Sequence, residues 1–427
     1  MMFEGKKIYK IAERIYPICR SITGDGVRET LSILKEYCEE LKISEVPSGT
    51  KVFDWTIPKE WNIREAYIED KNGNRIVDFK NNNLHVMGYS IPVDKYVEKQ
   101  ELLQYIYVEE EQPDAIPYVT TYYKERFGFC MSKNERDRLE DGIYHMVIDS
   151  SLEDGSMTYG EIILPGETDE EIFISTYICH PSMANNECSG PALAIYLANW
   201  IKKRNKRKYT YRIIFVPETI GSIMYLSMYK DILKKNVIAG FNLSCVGDDR
   251  TYSMIETRYG NTLADKVMKN VLGYHYKDYK CYSYLNRGSD ERQYNAPGID
   301  LPVCSVCRSK YGEYPEYHTS LDDMSLISPS GFQGSFDIVT KCILALEYNE
   351  KYRVTCYCEP QLGKRGLYPT ISHKGQYDEV YKLTNMIAYA DGTNDLIDIS
   401  NRIGVPVWEM SHNIEQLVAN GLFEVME

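Results

Sequence analysis

Apolar positions recur at three- and four-residue intervals through Ile8, Ile11, Ala12, Ile15 and Ile18, and again, with one slip, through Val27, Leu31, Leu34 and Leu41. That period predicts two amphipathic helices within residues 4–43. The turn-forming stretch Ser21-Ile22-Thr23-Gly24-Asp25-Gly26 separates them. From Pro47 the texture changes. Short alternating runs (Thr50–Ile57, Glu65–Glu69, Arg75–Phe79 and Leu102–Val108) lie between Gly, Asn and Pro turns, which predicts a small β-rich module over residues 46–118. From Tyr144 onward strands alternate with helices. The strands are read at Glu171–Tyr177, Tyr211–Val216, Ile238–Val246 and Leu301–Val306, and the helices at Pro191–Lys202, Ile220–Leu233, Leu263–Leu272 and Phe332–Glu347. This alternation predicts an α/β sheet sandwiched by helices.

The last 75 or so residues read as a separate unit. Gly392-Thr393-Asn394-Asp395 caps a short helix over Leu396–Ile403, Gly404-Val405-Pro406 turns the chain, and Val407–Asn420 forms a second helix ended by Gly421. With a short β-like tail this predicts a winged helix. A winged helix raises the possibility of DNA recognition, and charge answers it. From Gly392 onward Arg402 is the only basic residue, against Asp395, Asp398, Glu409, Glu415, Glu424 and Glu427. Phosphate contacts need Lys and Arg, so no nucleic-acid partner is expected. Docking on the rest of the chain, or assembly of a homodimer, is the expected role.

Over the whole chain 49 basic side chains face 62 acidic ones, a net charge of -13, so no attraction to anionic lipid is expected either. The start is charged and amphipathic, with no apolar secretory core, and no stretch approaches the roughly 18 apolar residues of a membrane span. Twelve cysteines in 427 residues do not make a disulfide scaffold, and without a secretory signal they read as reduced. A cytoplasmic protein is the expectation. Cys304 and Cys307 have CxxC spacing but fall in a strand-like run without a second pair, so they read as structural.

In open α/β sheets ligands sit beyond the carboxyl ends of the strands. The residues there are Cys179-His180-Pro181-Ser182, then Asn185-Asn186-Glu187-Cys188; Pro217-Glu218-Thr219; Gly247-Asp248-Asp249; Arg287-Gly288-Ser289-Asp290-Glu291-Arg292; and Pro315-Glu316-Tyr317-His318 with Asp322-Asp323 beyond. Two of the seven histidines and several carboxylates converge on one sheet edge. Imidazole and carboxylate are zinc ligands, and an unliganded Glu suits a general base. His85, His145, His275, His373 and His412 read as ordinary packing or surface residues. Cys179 is expected to face the core while His180 faces the site, because neighbours on a strand alternate.

The stretches CHPSMANNECSGP (179–191), FVPETIGS (215–222), RGSDERQYNAPGIDLPVCSV (287–306) and SKYGEYPEYHTSLDD (309–323) resemble the M28-type co-catalytic zinc aminopeptidases. More closely the chain resembles the bacterial DUF4910/DUF2172 family, over nearly its whole length. Some members of that family are labelled polysaccharide-biosynthesis proteins with an aminopeptidase-like domain. The resemblance implies an M28-like three-layer α/β/α domain from residues 1–45 and 119–350, an inserted β-rich domain at 46–118 and a winged helix at 351–427.

By the same resemblance His180 and His318 match the first and last metal-binding histidines, and Glu218 matches the general base. The departures are as informative. The second Glu of the family pair is Thr219 here, the Asp that orients the first His is Ser182, and a strand-end Asp aligns with Ser244. The Asp that bridges two ions is Asn186, which offers only a neutral carbonyl oxygen. One zinc is therefore expected rather than two. His180, His318 and one oxygen from Asn186, Glu187 or Asp248 would hold it. Asp290 and Glu291 are candidates for the free amine of a small peptide or amino-acyl substrate. Tyr317, with Tyr122, Tyr123, Tyr311 and Tyr314, is a candidate pocket wall. The expected activity is metal-dependent hydrolysis of a peptide or amide bond. The alternative is a metal-depleted binding or scaffold protein linked to polysaccharide biosynthesis, which the losses at Ser182, Asn186, Thr219 and Ser244 favour.

Overall fold

The computed structural model describes residues 4–367 and 377–426; His373 lies outside them. The chain divides into two compact units, Met1–Ala264 with Lys280–Phe336, and Asp265–Tyr279 with Asp337–Glu427.

The first unit is built on an eight-stranded mixed sheet. Its order is Lys42–Pro47, Ser156–Leu164, Thr210–Val216, Glu171–Tyr177, Val237–Leu243, Val303–Cys307, Ser253–Ile255 and Lys280–Tyr282. The four strands over Thr210–Val216, Glu171–Tyr177, Val237–Leu243 and Val303–Cys307 run parallel. Every residue of Glu171–Tyr177 is buried, as a parallel strand covered on both faces requires. On one face Phe173 and Ser175 meet Tyr294 of the short helix Glu291–Tyr294, which packs on the helix Ile220–Asn236. On the other face the helix Ser189–Lys202 comes so close that a Cβ at Gly190 would lie 2.2 Å from Thr176 Oγ1. The N-terminal helices Glu4–Ile15 and Asp25–Tyr37 pack outside Ser189–Lys202. They bury Ile8, Ile11 and Ile15, and Val27, Leu31 and Leu34, the stripes that the period predicts.

The β-rich part differs from its expected limits. A four-stranded antiparallel sheet runs in the order Arg75–Asp78, Glu60–Glu69, Ile143–Glu153 and Val93–Glu98. The strand Ile143–Glu153 comes from well past residue 118, because its alternating Tyr144, Met146 and Ile148 bury one face against Glu60–Glu69. The run Leu102–Val108 is not a strand throughout. It holds the end of a helical turn over Lys99–Leu102, then a tight turn, with only Ile106–Tyr107 extended. A two-residue hairpin, Lys51–Val52 with Trp55–Thr56, stands apart. No helix among the described residues is long and apolar enough to cross a membrane.

The second unit contains a three-stranded sheet, Asp391–Asp395, Lys351–Val354 and Phe423–Val425, and the helices Leu396–Ile403 and Val407–Ala419. Asp395 and Asp398 form a capping box that satisfies the first amides of Leu396–Ile403. Gly404, at φ 69°, ends that helix in the left-handed conformation that glycine accepts without strain. The helix Tyr377–Tyr389 precedes them, with Val380, Leu383, Met386 and Ile387 buried on one face. This helix adds to the two that the sequence predicts for the C-terminal unit.

Candidate metal and active site

Three segments deliver the site, each after a parallel strand. The first follows Glu171–Tyr177. The chain leaves the sheet through Cys179 and His180 and turns at Ser182 and Met183, both at positive φ (49° and 52°). It then enters the turn Ala184–Cys188. That loop is held from below by Arg20, whose side chain is fully buried. Its Nε donates to the His180 carbonyl at 3.0 Å and to Glu187 Oε1 at 3.1 Å. Nη1 donates to the Ile15 carbonyl at 2.6 Å and Nη2 to the Ser182 carbonyl at 3.3 Å. Glu187 Oε2 in turn lies 3.0 Å from His180 Nδ1. A carboxylate on one ring nitrogen fixes the ring's orientation and leaves the other nitrogen for a ligand. Glu187 thus fixes the orientation of the His180 ring. Burial works to lower the His180 pKa, but Cys179 and the Glu187 carboxylate outweigh it and hold it well above the usual imidazole value, so a metal bound at Nε2 would have to displace a proton.

The second segment follows Thr210–Val216. Glu218 Oε1 accepts from Ser289 Oγ at 2.7 Å, and Oε2 lies 3.7 Å from His180 Nε2. Burial pushes the Glu218 pKa up. Thr219 follows at φ 64°, strained for a β-branched residue. It is pinned there by its N–H to Asp290 Oδ1 at 2.7 Å and by Arg292, which donates to its hydroxyl.

The third segment is the loop that carries His318, itself at φ 58°. Its carbonyl accepts from the Tyr118 N–H at 2.9 Å. Its ring stacks on Tyr317, centroids 3.8 Å apart, and meets the edge of Tyr118 at 5.1 Å. Asp322 fastens this loop to the first one by accepting from the N–H groups of Asn185 and Asn186. The His318 pKa is pushed down to about 3 by burial and by His180. The ring is therefore neutral at physiological pH, and its buried Nε2 has no hydrogen-bond partner.

The expected residues separate into two groups. His180, Glu218 and His318 come together on one pocket of 350 Å³, walled by Tyr118, Tyr122, Tyr123 and Trp55. Asn186 joins them through Tyr177, whose hydroxyl accepts from its Nδ2 at 2.9 Å and whose ring stands 5.3 Å from His180. The Asn186 Oδ1 is buried and unpartnered. Tyr317 supports His318 from behind.

Asp248 is not brought into this group. Its two oxygens are taken by Asn185 Nδ2, Ser309 N and Oγ and Arg250 N. Glu291 is likewise consumed, by Gly288 N, Ser289 N, Tyr311 OH and Ser305 Oγ. Asp290 supports the Thr219 turn and Ser222. Neither Asp290 nor Glu291 lines the pocket, so no free-amine anchor is formed there by these two. Tyr311 and Tyr314 pack in a separate cluster with Cys245, Ile255 and Cys307.

Cys179 is not turned away from His180 as expected. The strand ends at Tyr177, so strand alternation no longer applies. Its Sγ lies 3.4 Å from His180 Nδ1 and accepts the Glu218 N–H at 3.2 Å. Burial holds its pKa up at about 11, the opposite of the lowered value that marks a reactive thiolate. Sequence reasoning also missed Arg20, Ser289, Tyr118 and Trp55. Only Arg20 carried a signal, as a lone cation in the otherwise uncharged run from Ile15 to Thr23.

The donor chemistry fits a zinc ion. Two imidazoles sharing a tetrahedral zinc at bonds of about 2.0 Å have ring centroids roughly 5 Å apart, and His180 and His318 stand 5.4 Å apart. The unpartnered His318 Nε2 and Asn186 Oδ1 are the buried polar atoms such an ion would satisfy. Glu187 is neutralised by Arg20, and Asn186 carries no charge.

A family model described as a domain of unknown function, DUF4910, matches residues 9–349, and a winged helix-turn-helix model matches residues 350–425. The chain belongs to the DUF4910 family. A Clostridium acetobutylicum protein, named for polysaccharide biosynthesis and an aminopeptidase-like domain, is 45% identical over 403 residues. The match covers 94% of this chain and 92% of that protein. A crystal structure of a protein from C. acetobutylicum, described there as a peptidase, superposes with a TM-score of 0.93 at 43% identity. It covers 99% of this chain and 97% of that one. BSAP, a zinc aminopeptidase from Bacillus subtilis, has a TM-score of 0.58 at 13% identity, covering 81% of this chain and 95% of its own. The DUF4910 part therefore has the fold of the M28-type aminopeptidases, followed by a winged helix.

Proposed function

We propose that this protein is a zinc-dependent aminopeptidase-like hydrolase that cleaves a peptide or amide bond next to a small amino-acyl group. One observation carries the reading: neutral His318, with its Nε2 unpartnered, stands 5.4 Å ring to ring from His180, and Glu218 lies beside them. His180 Nε2, His318 Nε2 and Asn186 Oδ1 would hold one zinc. The chemistry such an ion supplies is a more acidic water and a polarised carbonyl. Glu218 receives the proton of the attacking water on the oxygen that Ser289 leaves free and returns it to the leaving amine. Its pKa, raised by burial, makes it a stronger base for that exchange than an exposed carboxylate. Tyr118, Tyr122 and Trp55 exclude solvent and give the acyl side chain an apolar wall.

Metal analysis of the purified, zinc-supplemented protein, with turnover of amino-acid amides and dipeptides, tests the reading. About one zinc per chain is expected, and Glu218→Gln should abolish turnover while keeping the metal. Less than about 0.2 zinc per chain would end it. A second reading, a non-catalytic scaffold with a peptidase fold, is favoured by Asn186, Thr219, Ser182 and Ser244 standing where the M28 pattern has carboxylates. Bound zinc with no turnover of any peptide or amide would support it. In either case a link to polysaccharide assembly follows from the relative's name alone. The twelve free cysteines, most of them buried, support a cytoplasmic setting. The acidic helix Val407–Ala419 argues against duplex DNA as a partner.

A further inference from the structure

The helix Ile220–Asn236 begins at the catalytic pocket and continues beneath a second cavity. Ile220 lines the pocket. Ile223 and Leu226, further along the helix, line a groove of 390 Å³. The opposite wall is the tip of the hairpin at residues 51–56, with Phe53, Asp54 and Trp55, and the far side is the turn at Ala296–Ile299. Trp55 lines both cavities, with its ring 5.7 Å from Tyr123 in the pocket. From Ile220 to Ile223, where the groove begins, the helix rises about 4.5 Å. An extended peptide covers that distance in one to two residues at about 3.3 Å each.

The hairpin tip is unusual for a solvent-facing turn. Phe53 is 55% exposed and Trp55 37% exposed, and Phe53 holds φ at 56° in a two-residue loop where glycine is the default. Strain of this kind in a bulky exposed side chain is kept where it serves a ligand. The charged residues on the groove are Asp54 and Lys230, one of each sign, so an ionic occupant gains little.

We propose that this groove receives the apolar side chain of the residue after the scissile bond, and that Trp55 is the specificity-determining residue between the two cavities. The proposal rests on the hydrolase reading for its orientation. Its occupant is the distal part of a short apolar peptide.

The test uses the full chain supplemented with zinc and the dipeptides Leu-Leu and Leu-Gly. The readouts are kcat/KM in the native protein and calorimetric affinity in Glu218→Gln. Leu-Leu should be preferred by about ten- to a hundredfold in both, the range given by burying one Leu-sized side chain. Trp55→Ala should bring the ratio to within about threefold of one. Phe53→Gly, which suits the backbone at that position, should narrow the ratio as well and carries the test if Trp55→Ala does not fold. Equal affinity of Glu218→Gln for the two dipeptides, binding of neither, or a ratio unchanged by both variants would overturn the proposal. Selective binding of Leu-Leu without turnover would count against the hydrolase reading and support the groove.

Discussion

Replacing Arg20 with Met keeps the length and apolar stem of the side chain and removes its charge. Six acceptors lose their donor: the carbonyls of Ile15, His180 and Ser182, Thr30 Oγ1, Cys188 Sγ and Glu187 Oε1. The largest loss is at Glu187, whose side chain is 1% exposed and then keeps only His180 as a partner. Breaking a buried pair on one side costs about 3–5 kcal/mol. For a cooperative unit of roughly 300 residues that lowers Tm by about 5–8 °C. Thermal and urea unfolding of Arg20→Met, Glu187→Gln and the double variant form a complete cycle. The double variant should be less destabilised than the sum of the singles by at least about 1 kcal/mol, because removing both charges leaves none stranded. Since Glu187 also orients His180, zinc affinity should fall about 10- to 100-fold in Glu187→Gln. Additive effects, or an Arg20→Met cost below about 1 kcal/mol, would refute the view of this pair as the clamp of the His180 loop.

Four further outcomes are expected. Ser289→Ala removes the hydroxyl that stabilises ionised Glu218, so the Glu218 pKa should rise and the acid limb of kcat/KM should move to higher pH; an unmoved limb would separate Glu218 from the reaction. Asp290, pushed up to about 7 by burial and then by Glu218, has a partnerless Oδ2. Its raised pKa favours the fold below pH 4, and that advantage is lost as pH rises from about 4 through 7. Asp290→Asn should therefore gain on wild type by an amount on the order of 3 kcal/mol between pH 4 and 8, measured by melting at each pH, and a gain independent of pH would contradict the assignment. Gly5→Ala would place a Cβ 1.9 Å from the Pro329 carbonyl oxygen and should cost about 1–3 kcal/mol by thermal unfolding. Gly404→Ala, with open space around it, should cost only about 1 kcal/mol for its left-handed backbone.

His180 and Glu218 are legible in the sequence because each lies within three residues of the end of a strand whose period is clear, and a parallel sheet gathers such positions on one edge; His318 lies further along, in the loop after Val303–Cys307. The direction in which a carboxylate then turns is not legible. Asp248, Asp290 and Glu291 lie beside the same edge, yet each is drawn into the interior by backbone N–H and hydroxyl donors that only the fold brings near. Glu187 is the instructive case. Its position next to Asn186 marks it as a ligand candidate, and its actual task is set by Arg20, which is 167 residues away in sequence. The β-rich part shows the same limit. The alternation in Tyr144, Met146 and Ile148 identifies a strand, but not that it closes the sheet begun at Glu60.

The Arg20 clamp also bears on how the protein comes into being. The pocket needs Arg20, Trp55 and Tyr118 from the first third of the chain, His180 and Glu218 from its middle, and His318 and Asp322 beyond residue 300. Contacts of such long sequence separation form late and slowly. On the ribosome, a nascent chain shorter than about 320 residues plus the length of the exit tunnel has Glu187 and Arg20 but not the second imidazole. On the proposed reading, zinc can bind only once residue 318 has emerged and joined the segments made before it.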